Sequence, residues 1–506
     1  MSQMIISAIE EQVARLSGKI DGDGLSLIYR LLDLAKSQQE LLAKQQAQID
    51  SQRVLIDSQE ARIEELARQL SQNSQNSHRP PSSDGYKKPV VVPKSGGKRK
   101  KAGGQRGHSG SKLEMSSVVH HRYEHDPEIC QGCGHSLEGT EVLAVKKAHV
   151  YDIPPMELEV SEHIATTRRC LCCGEFNKGT LPEGIQAGAQ YGKGVRSLMT
   201  YLHSFQLIPA KRCSELFEDL FGQAISPGTC LNMQADAYER LEPFEEELKQ
   251  NVLSAACLGA DETSERVAGR RQWLHTLSTS AHTLLYVHPN RGRKAIDEFG
   301  VLNQYGGIVT HDRYNTYFSL SCTHALCNAH LLRDLEAVIE QTNETWATRL
   351  QKLLLQIYQN VKEAKQKGLG QLSDKSLKNF QKRYEKYVDI GLALHTPPEK
   401  VPGKMGRPKK GKTRNLLEDL QKHQEAVLRF AFDFRVPFDN NQSERDIRMC
   451  KVKLKISGCF RTSKGASIFA RIRSFILTAQ KQGLRPLMAL SDLFGQQNLV
   501  KELVVV

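Results

Sequence analysis

From Ile28 to Leu70 an apolar residue returns at every seventh position: Ile28, Ala35, Leu42, Ile49, Ile56, Ile63 and Leu70. A repeat of that length confines the segment to one long helix, because neither strands nor short globular helices sustain a period of seven. The stripe it makes needs a partner helix, so the spacing predicts a coiled coil over residues 1–72. The second rung, three residues on, reads Leu31, Gln38, Gln45, Gln52, Gln59 and Leu66. Glutamines in the middle of that rung weaken the seam, and a modest self-association is expected, as a homodimer or higher. The alternative is a helix that packs its stripe on its own chain.

Pro, Gly and Ser stop the pattern in SQNSQNSHRPPSSDG (71–85), which reads as a linker. Within the linker of 73–118, nine basic residues and no acid lie between Lys87 and Lys112, among them Arg99, Lys100 and Lys101. Such a segment cannot bury a core, but it can neutralise several phosphates at once. A solubilising tail is the bland alternative. The whole chain carries 70 Lys and Arg against 57 Asp and Glu, a net charge of +13, which points to a polyanion such as nucleic acid. No apolar run approaches the roughly 18 residues of a membrane span, and the first residues do not read as a signal peptide. A cytoplasmic protein with no membrane partner is expected.

Cys130-Gln-Gly-Cys133 and Cys170-Leu-Cys172-Cys173 are two knuckles with 36 residues between them, each followed by Gly. Four thiolates in this pattern suit one tetrahedral, structural zinc, with Cys172 spare. A zinc ribbon over 119–185 is predicted, and alternation at Val142, Ala144, Leu158 and Val160 predicts strands in the intervening stretch. Four unliganded thiols are the alternative. Residues Gly194 to Glu239 then read as helices broken at Gly222 and capped at Ser226-Pro227, the outline of a helix-turn-helix within a helical domain over 186–250. A helix pair that only supports the next domain fits equally.

The chemistry-bearing residues follow. Ala255 to Asp261 is a short apolar run ending in an acid; Gln272 to Ser278 and Thr283 to His288 follow at hairpin spacing, then a short helix, then Gly307 to Asp312. Three strands, a helix and a fourth strand ending in Asp is the order of a ribonuclease-H-like sheet, in which the first and fourth strands adjoin. That brings Asp261 and Asp312 within reach of a shared divalent cation. Alone, either Asp reads as a cap or a salt-bridge partner. Asp439-Asn-Asn-Gln-Ser-Glu444 opens a helix, capped at Asn440 or Asn441, that lines Glu444, Arg448, Lys451 and Lys455 along one face. An acid heading a basic stripe suits a site that holds metal and grips a nucleic-acid backbone. Ile447, Cys450 and Leu454 face the core beside it.

Gly-Ala-Asp261-Glu-Thr, His-Asp312-Arg-Tyr, Cys327-Asn-Ala-His330-Leu-Leu-Arg and Asp-Asn-Asn-Gln-Ser-Glu444-Arg, with the coiled coil, the PPSSDG linker and the knuckles, resemble the insertion-sequence sixty-six group of bacterial transposases. The resemblance runs in order along essentially the whole chain. It implies a ribonuclease-H-like catalytic core with an Asp-Asp-Glu triad at Asp261, Asp312 and Glu444, and accessory proteins from the same element. Glu444 and Lys451 also resemble the Glu, six residues, Lys signature of related transposases, without the Tyr and Arg that precede it there. Two Mg2+ ions on the triad would cut duplex DNA at the terminal inverted repeats and join the freed end to target DNA, in a bacterial, nucleoid-associated setting. The rivals are a metal-dependent DNA nuclease without strand transfer and a non-catalytic zinc-containing DNA-binding protein.

The expected fold is thus a multidomain α/β chain: coiled-coil helix, zinc ribbon, helical domain, and a catalytic core over 251–330 and 431–465. The 132 residues from Asp312 to Glu444 exceed a minimal core and predict a helical insertion at 331–430, with helices over 346–367 and 372–394. A C-terminal helical segment would fill 466–506. The basic loop Gly403 to Lys412 centres on Gly-Arg407-Pro, which resembles a minor-groove hook; a flexible charged loop is the alternative. Cys322, His324, Cys327 and His330 offer a candidate second metal site, or a structural motif beside the insertion.

Overall fold

Helix-forming residues run unbroken across the heptad segment, without Pro or Gly after Gly24, and the structure accordingly carries one 50-residue helix, α1 (Gly22–Ser71). This computed structural model describes residues 8–9, 11–15, 18, 21–71, 112–397 and 410–495. Arg99, Lys100 and Lys101 of the linker, and Arg407 of the basic loop, lie outside the described residues. The chain divides into two units, residues 1–98 and 99–506. In the first, Leu42, Ile49, Ile56 and Ile63 of α1 are exposed along the helix.

The second unit begins with the two knuckles. Each is closed in the same way: the Cys130 N–H donates to His135 O and Gly134 N–H to Cys130 O, while Cys170 N–H donates to Glu175 O and Gly174 N–H to Cys170 O. Gly134 and Gly174 hold φ of 72° and 75°, which a side chain would resist. Strands β1 (Thr167–Arg169) and β2 (Phe176–Lys178) form a hairpin around the second knuckle. Apart from β1, the strands expected between the knuckles, at Val142, Ala144, Leu158 and Val160, do not form. Val142, Ala144 and Val160 alternate but are exposed, because no packed layer receives their face; Leu158 packs instead among the following helices.

Those helices are α2 (Lys193–Thr200), a π-helical turn (Tyr201–Phe205), α3 (Ala210–Phe221), α4 (Pro227–Arg240) and α5 (Glu242–Ser254). Gly222, at φ 67°, ends α3, and Ser226 accepts the Thr229 N–H at 2.9 Å to start α4. Met199, Cys213, Phe217, Ile225, Cys230 and Met233 are their shared core. On α4 the one basic residue is Arg240, bound to Asp236.

A five-stranded sheet forms the centre: β3 (Cys257–Val267), β4 (Arg270–Ser278), β5 (Thr283–His288), β6 (Ile308–His311) and β7 (Thr323–Leu326). Its order is β5-β4-β3-β6-β7, with the first three antiparallel and β3, β6 and β7 parallel. Between β5 and β6 lie α6 (Arg293–Phe299) and α7 (Val301–Gln304). Period-2 alternation splits the sheet's side chains between two cores. Leu277 and Leu284 join α5, and Leu274 and Leu285 join Ile447 and Cys450 of a later helix.

After β7 come α8 (Asn328–Thr342), α9 (Thr345–Gln366), α10 (Asp374–Leu394), α11 (Lys412–Lys422) and α12 (Gln424–Phe432), built on their own core of Trp346, Leu350, Leu354, Ile357, Tyr384 and Leu417. The chain then returns to the sheet with α13 (Asn441–Ser457), α14 (Ser463–Lys481) and α15 (Pro486–Gly495). Helix α14 is part of the sheet domain and no separate C-terminal segment. Its Thr478 and Ser474 hydroxyls accept the Thr283 and Leu285 N–H groups of edge strand β5 at 3.1 and 2.8 Å, so these two groups of the open edge are satisfied.

Candidate active site

Two parallel neighbours and one helix start converge on the acids. Gly259 of β3 pairs with Thr310 of β6, and the strands run on to Asp261 and Asp312 respectively. Asp312 caps its own turn, Oδ1 accepting the Tyr314 N–H at 2.9 Å. Glu444 sits in the first turn of α13. A close approach brings that helix in: a Cβ on Gly259 would lie 2.1 Å from Asn440 Oδ1 and 2.4 Å from Ser443 Oγ. Asn440 does not cap α13 with its side chain. It donates from Nδ2 to Ala260 O at 2.8 Å, accepts from Ser443 Oγ at 2.7 Å, and its N–H donates to Cys327 Sγ at 3.1 Å. Strand β3, the start of α8 and the start of α13 are thereby clamped together.

Negative charge gathers where these elements meet, and it is only partly paired. Burial pushes the Asp261 carboxyl up to about 8, and the Glu262, Asp312 and Glu444 carboxylates add to it. Glu262 is also raised by burial, although Tyr317 donates to it at 2.5 Å and Arg291 pairs with it at 2.6 Å. Buried carboxylates at Asp261 and Glu262, with Asp312 and Glu444 close enough to act on Asp261, are an oxygen donor set of the kind a hard divalent ion takes.

Glu444 is held from the other side. Its Oε1 lies 3.4 Å from Arg333 and 3.7 Å from His330 of α8. Among the described residues, two groups of possible metal ligands gather within 4.8 Å: Cys327, His330 and Glu444, and His203, Cys213 and Cys230. The three acids Asp261, Asp312 and Glu444 are not at that spacing, nor are Cys130, Cys133, Cys170 and Cys173. Each knuckle stands as a separate pair, the Cys130 thiol lowered first by the Gly132 N–H and the Cys170 thiol by the Cys173 N–H. Of the candidate second metal site, Cys327 and His330 meet but Cys322 and His324 do not join them. His324 instead contacts His311, Nδ1 to Nε2 at 3.1 Å.

The basic stripe divides. Arg448 and Lys455 are exposed on α13, while Lys451 turns in and donates to the Ser264 carbonyl and hydroxyl of β3. Periodicity places Lys451 on the stripe but cannot register that β3 runs beside it. Sequence reasoning also missed Arg291, whose guanidinium lies 4.2 Å from the Tyr314 ring and 5.1 Å from Trp273 while it pairs with Glu262. The adjacent acid in Asp261-Glu262 was the available signal. Arg333 lies in the motif that opens α8, yet only the fold shows that it faces Glu444.

Compared with known proteins, residues 188–468 match the model of the transposase IS66 family. Residues 34–114 match that of a family of unknown function, DUF6444. No curated protein matches.

Proposed function

The chain belongs to the IS66 family of transposases, and from that premise we propose that it cuts DNA at element ends and joins them to target DNA through Asp261, Asp312 and Glu444. The observation that carries this reading is geometric: paired strands β3 and β6 lead to Asp261 and Asp312, and Asn440 ties the start of α13, with Glu444 in its first turn, to the Ala260 carbonyl beside them. The β5-β4-β3-β6-β7 order supports a ribonuclease-H-like core, since it puts the two aspartate strands side by side. In this reading α8 to α12 are the insertion.

Two Mg2+ ions held by these acids would activate the attacking water or 3′-OH and neutralise charge on the leaving oxygen. The protein's own part is positioning. Asn440 and Gly259 fix the start of α13 against β3, and Arg333 and His330 fix the Glu444 carboxylate. Asp261, whose carboxyl burial raises to about 8, would hold a cation as its carboxylate. Arg448 and Lys455 hold the DNA backbone, assisted by Arg99, Lys100, Lys101 and Arg407; Lys451 belongs to the scaffold through Ser264.

Further modules complete the proposal. Cys130, Cys133, Cys170 and Cys173 bind one structural Zn2+, which requires the two knuckles to close on each other. Helices α3 and α4 form the helix-turn-helix-like element that contacts the end, and the exposed α1 stripe joins two or more copies so that two ends can be held together. Accessory proteins of the same element would complete the assembly. Among the described residues no helix is long and apolar enough to cross a membrane; the proposed setting is the bacterial cytoplasm, at the nucleoid.

The test incubates the protein with a labelled element end, target DNA and Mg2+. Strand-transfer products are expected. Cleavage alone would leave a nuclease, and a gel shift without chemistry would leave a DNA-binding protein.

A further inference from the structure

The second ligand cluster lies in the helical domain, away from the acids. His203 is on the π-helical turn, Cys213 on α3 and Cys230 on α4, and one ligand atom from each falls within 4.8 Å of the others. We propose that these three residues bind a soft divalent cation, Zn2+, that ties the two helices of the helix-turn-helix-like element to the turn before them.

The geometry is close to what the ion needs. Tetrahedral Zn2+ with ordinary bond lengths sets sulfur to sulfur at about 3.8 Å and sulfur to nitrogen at about 3.6 Å. From ligand atoms within 4.8 Å of one another, closing by at most about 1.2 Å would reach that. The local backbone is bent to build the cluster. A π-helical turn displaces His203 from the α-helical path, and Leu207 follows it in the left-handed region at φ 63°, a conformation a branched residue resists. The Ile208 carbonyl then orients two ligands: His203 Nδ1 lies 2.9 Å from it and Cys213 Sγ donates to it at 3.3 Å.

The surroundings are those of a thiolate site. Cys213 and Cys230 are fully buried among Met199, Phe217, Ile225 and Met233, whereas His203 reaches the surface and offers an entry path. Lys453 of α13 is 8% exposed, lies between the Phe460 and Phe469 rings at 5.4 and 5.3 Å, and has no carboxylate partner among the described residues. The opposing groups that favour its charge are the thiols of Cys450, Cys213 and Cys230. A buried ammonium without a carboxylate calls for negative charge nearby, and two thiolates supply it. The hydrogen bond from Cys230 pulls Cys213 down to about 6, and the same contact raises Cys230. Binding would displace the remaining thiol protons, so affinity rises with pH.

The site is independent of the knuckles and of the acids, and so is its test. The full-length chain with Cys130, Cys133, Cys170 and Cys173 changed to Ser is titrated with Co2+ alone, then assayed for zinc as purified. One equivalent of thiolate-bound Co2+ per chain is expected, counted by the thiolate-to-cobalt charge-transfer absorption that ions on the carboxylates do not give. Adding Cys213→Ser or Cys230→Ser should abolish that absorption. Adding His203→Gln, at the half-exposed ligand where folding is least at risk, should weaken Co2+ binding by about 10–100-fold. A folded four-serine chain that shows no thiolate-to-cobalt absorption would overturn the proposal. So would a Cys213–Cys230 disulfide in protein prepared without reductant, or cobalt absorption indifferent to the His203 change in a chain with an unaltered melting curve.

Discussion

Replacing Asp261 by Asn should abolish catalysis and at the same time make the metal-free protein more stable. The Asp261 carboxyl rises from 3.8 to about 8 on folding, chiefly through burial. Between those values the folded state binds the proton that the unfolded state has released, so stability falls as pH rises through the window. At pH 7 the full shift corresponds to about 4 kcal/mol of destabilisation, and relaxation of the site would reduce it to about 2–4 kcal/mol. Asparagine has nearly the same shape and carries no charge to desolvate. Urea unfolding in EDTA, followed at several pH values, should show the two proteins nearly equal at pH 4 and Asp261→Asn ahead by about 2–4 kcal/mol at pH 7–8. Excess Mg2+ should narrow the gap by stabilising the wild type alone. Equal stability at pH 8, or a wild-type curve no steeper than that of Asp261→Asn, would refute the reasoning that crowded carboxylates are strained at this position.

Other perturbations probe the scaffold. Gly259→Ala should cost about 1–3 kcal/mol and most of the activity by pushing α13 from β3, measured by unfolding and strand-transfer yield. The Asp446–Lys481 pair is buried, its 3.1 Å contact having side chains 3% and 9% exposed. Lys481→Met should therefore lower stability by about 3–5 kcal/mol, because Asp446 would keep as hydrogen-bond donors, among the described residues, the Ser278 and Thr283 hydroxyls and the Gln442 amide, all uncharged. Arg333→Ala should slow strand transfer about tenfold, equivalent to ~1.4 kcal/mol, without lowering the melting temperature. Deleting residues 1–70 should weaken self-association on sizing and reduce transposition while leaving the unfolding transition of the second unit in place.

Local signals were the legible ones. The Gly222 and Ser226 boundaries of α3 and α4 follow from backbone chemistry that one residue decides. Helices expected over 346–367 and 372–394 are found at Thr345–Gln366 and Asp374–Leu394, since a periodic apolar stripe survives whatever it packs against. Strand β7 was missed because Thr323–Leu326 is short and its Cys and His neighbours read as ligands. The strands between the knuckles were over-read, since alternation at Val142 and Val160 indicates a strand only if another layer covers one face. Helix α14 was assigned outside the core because its contacts, such as Thr478 with Thr283, join segments distant in sequence. The same limit applies to the site. Asp261, Asp312 and Glu444 could be named from motifs, but the Asn440 clamp, the Arg333 hold on Glu444 and the inward turn of Lys451 depend on which strand or helix comes to lie alongside.

The most direct measurement is strand transfer by Asp312→Asn protein on a labelled element end with Mg2+, beside wild type and with DNA binding followed in parallel. The account predicts DNA binding within a few-fold of wild type and no detectable cleavage or joining. Joined product at wild-type yield from the Asp312→Asn protein would contradict it.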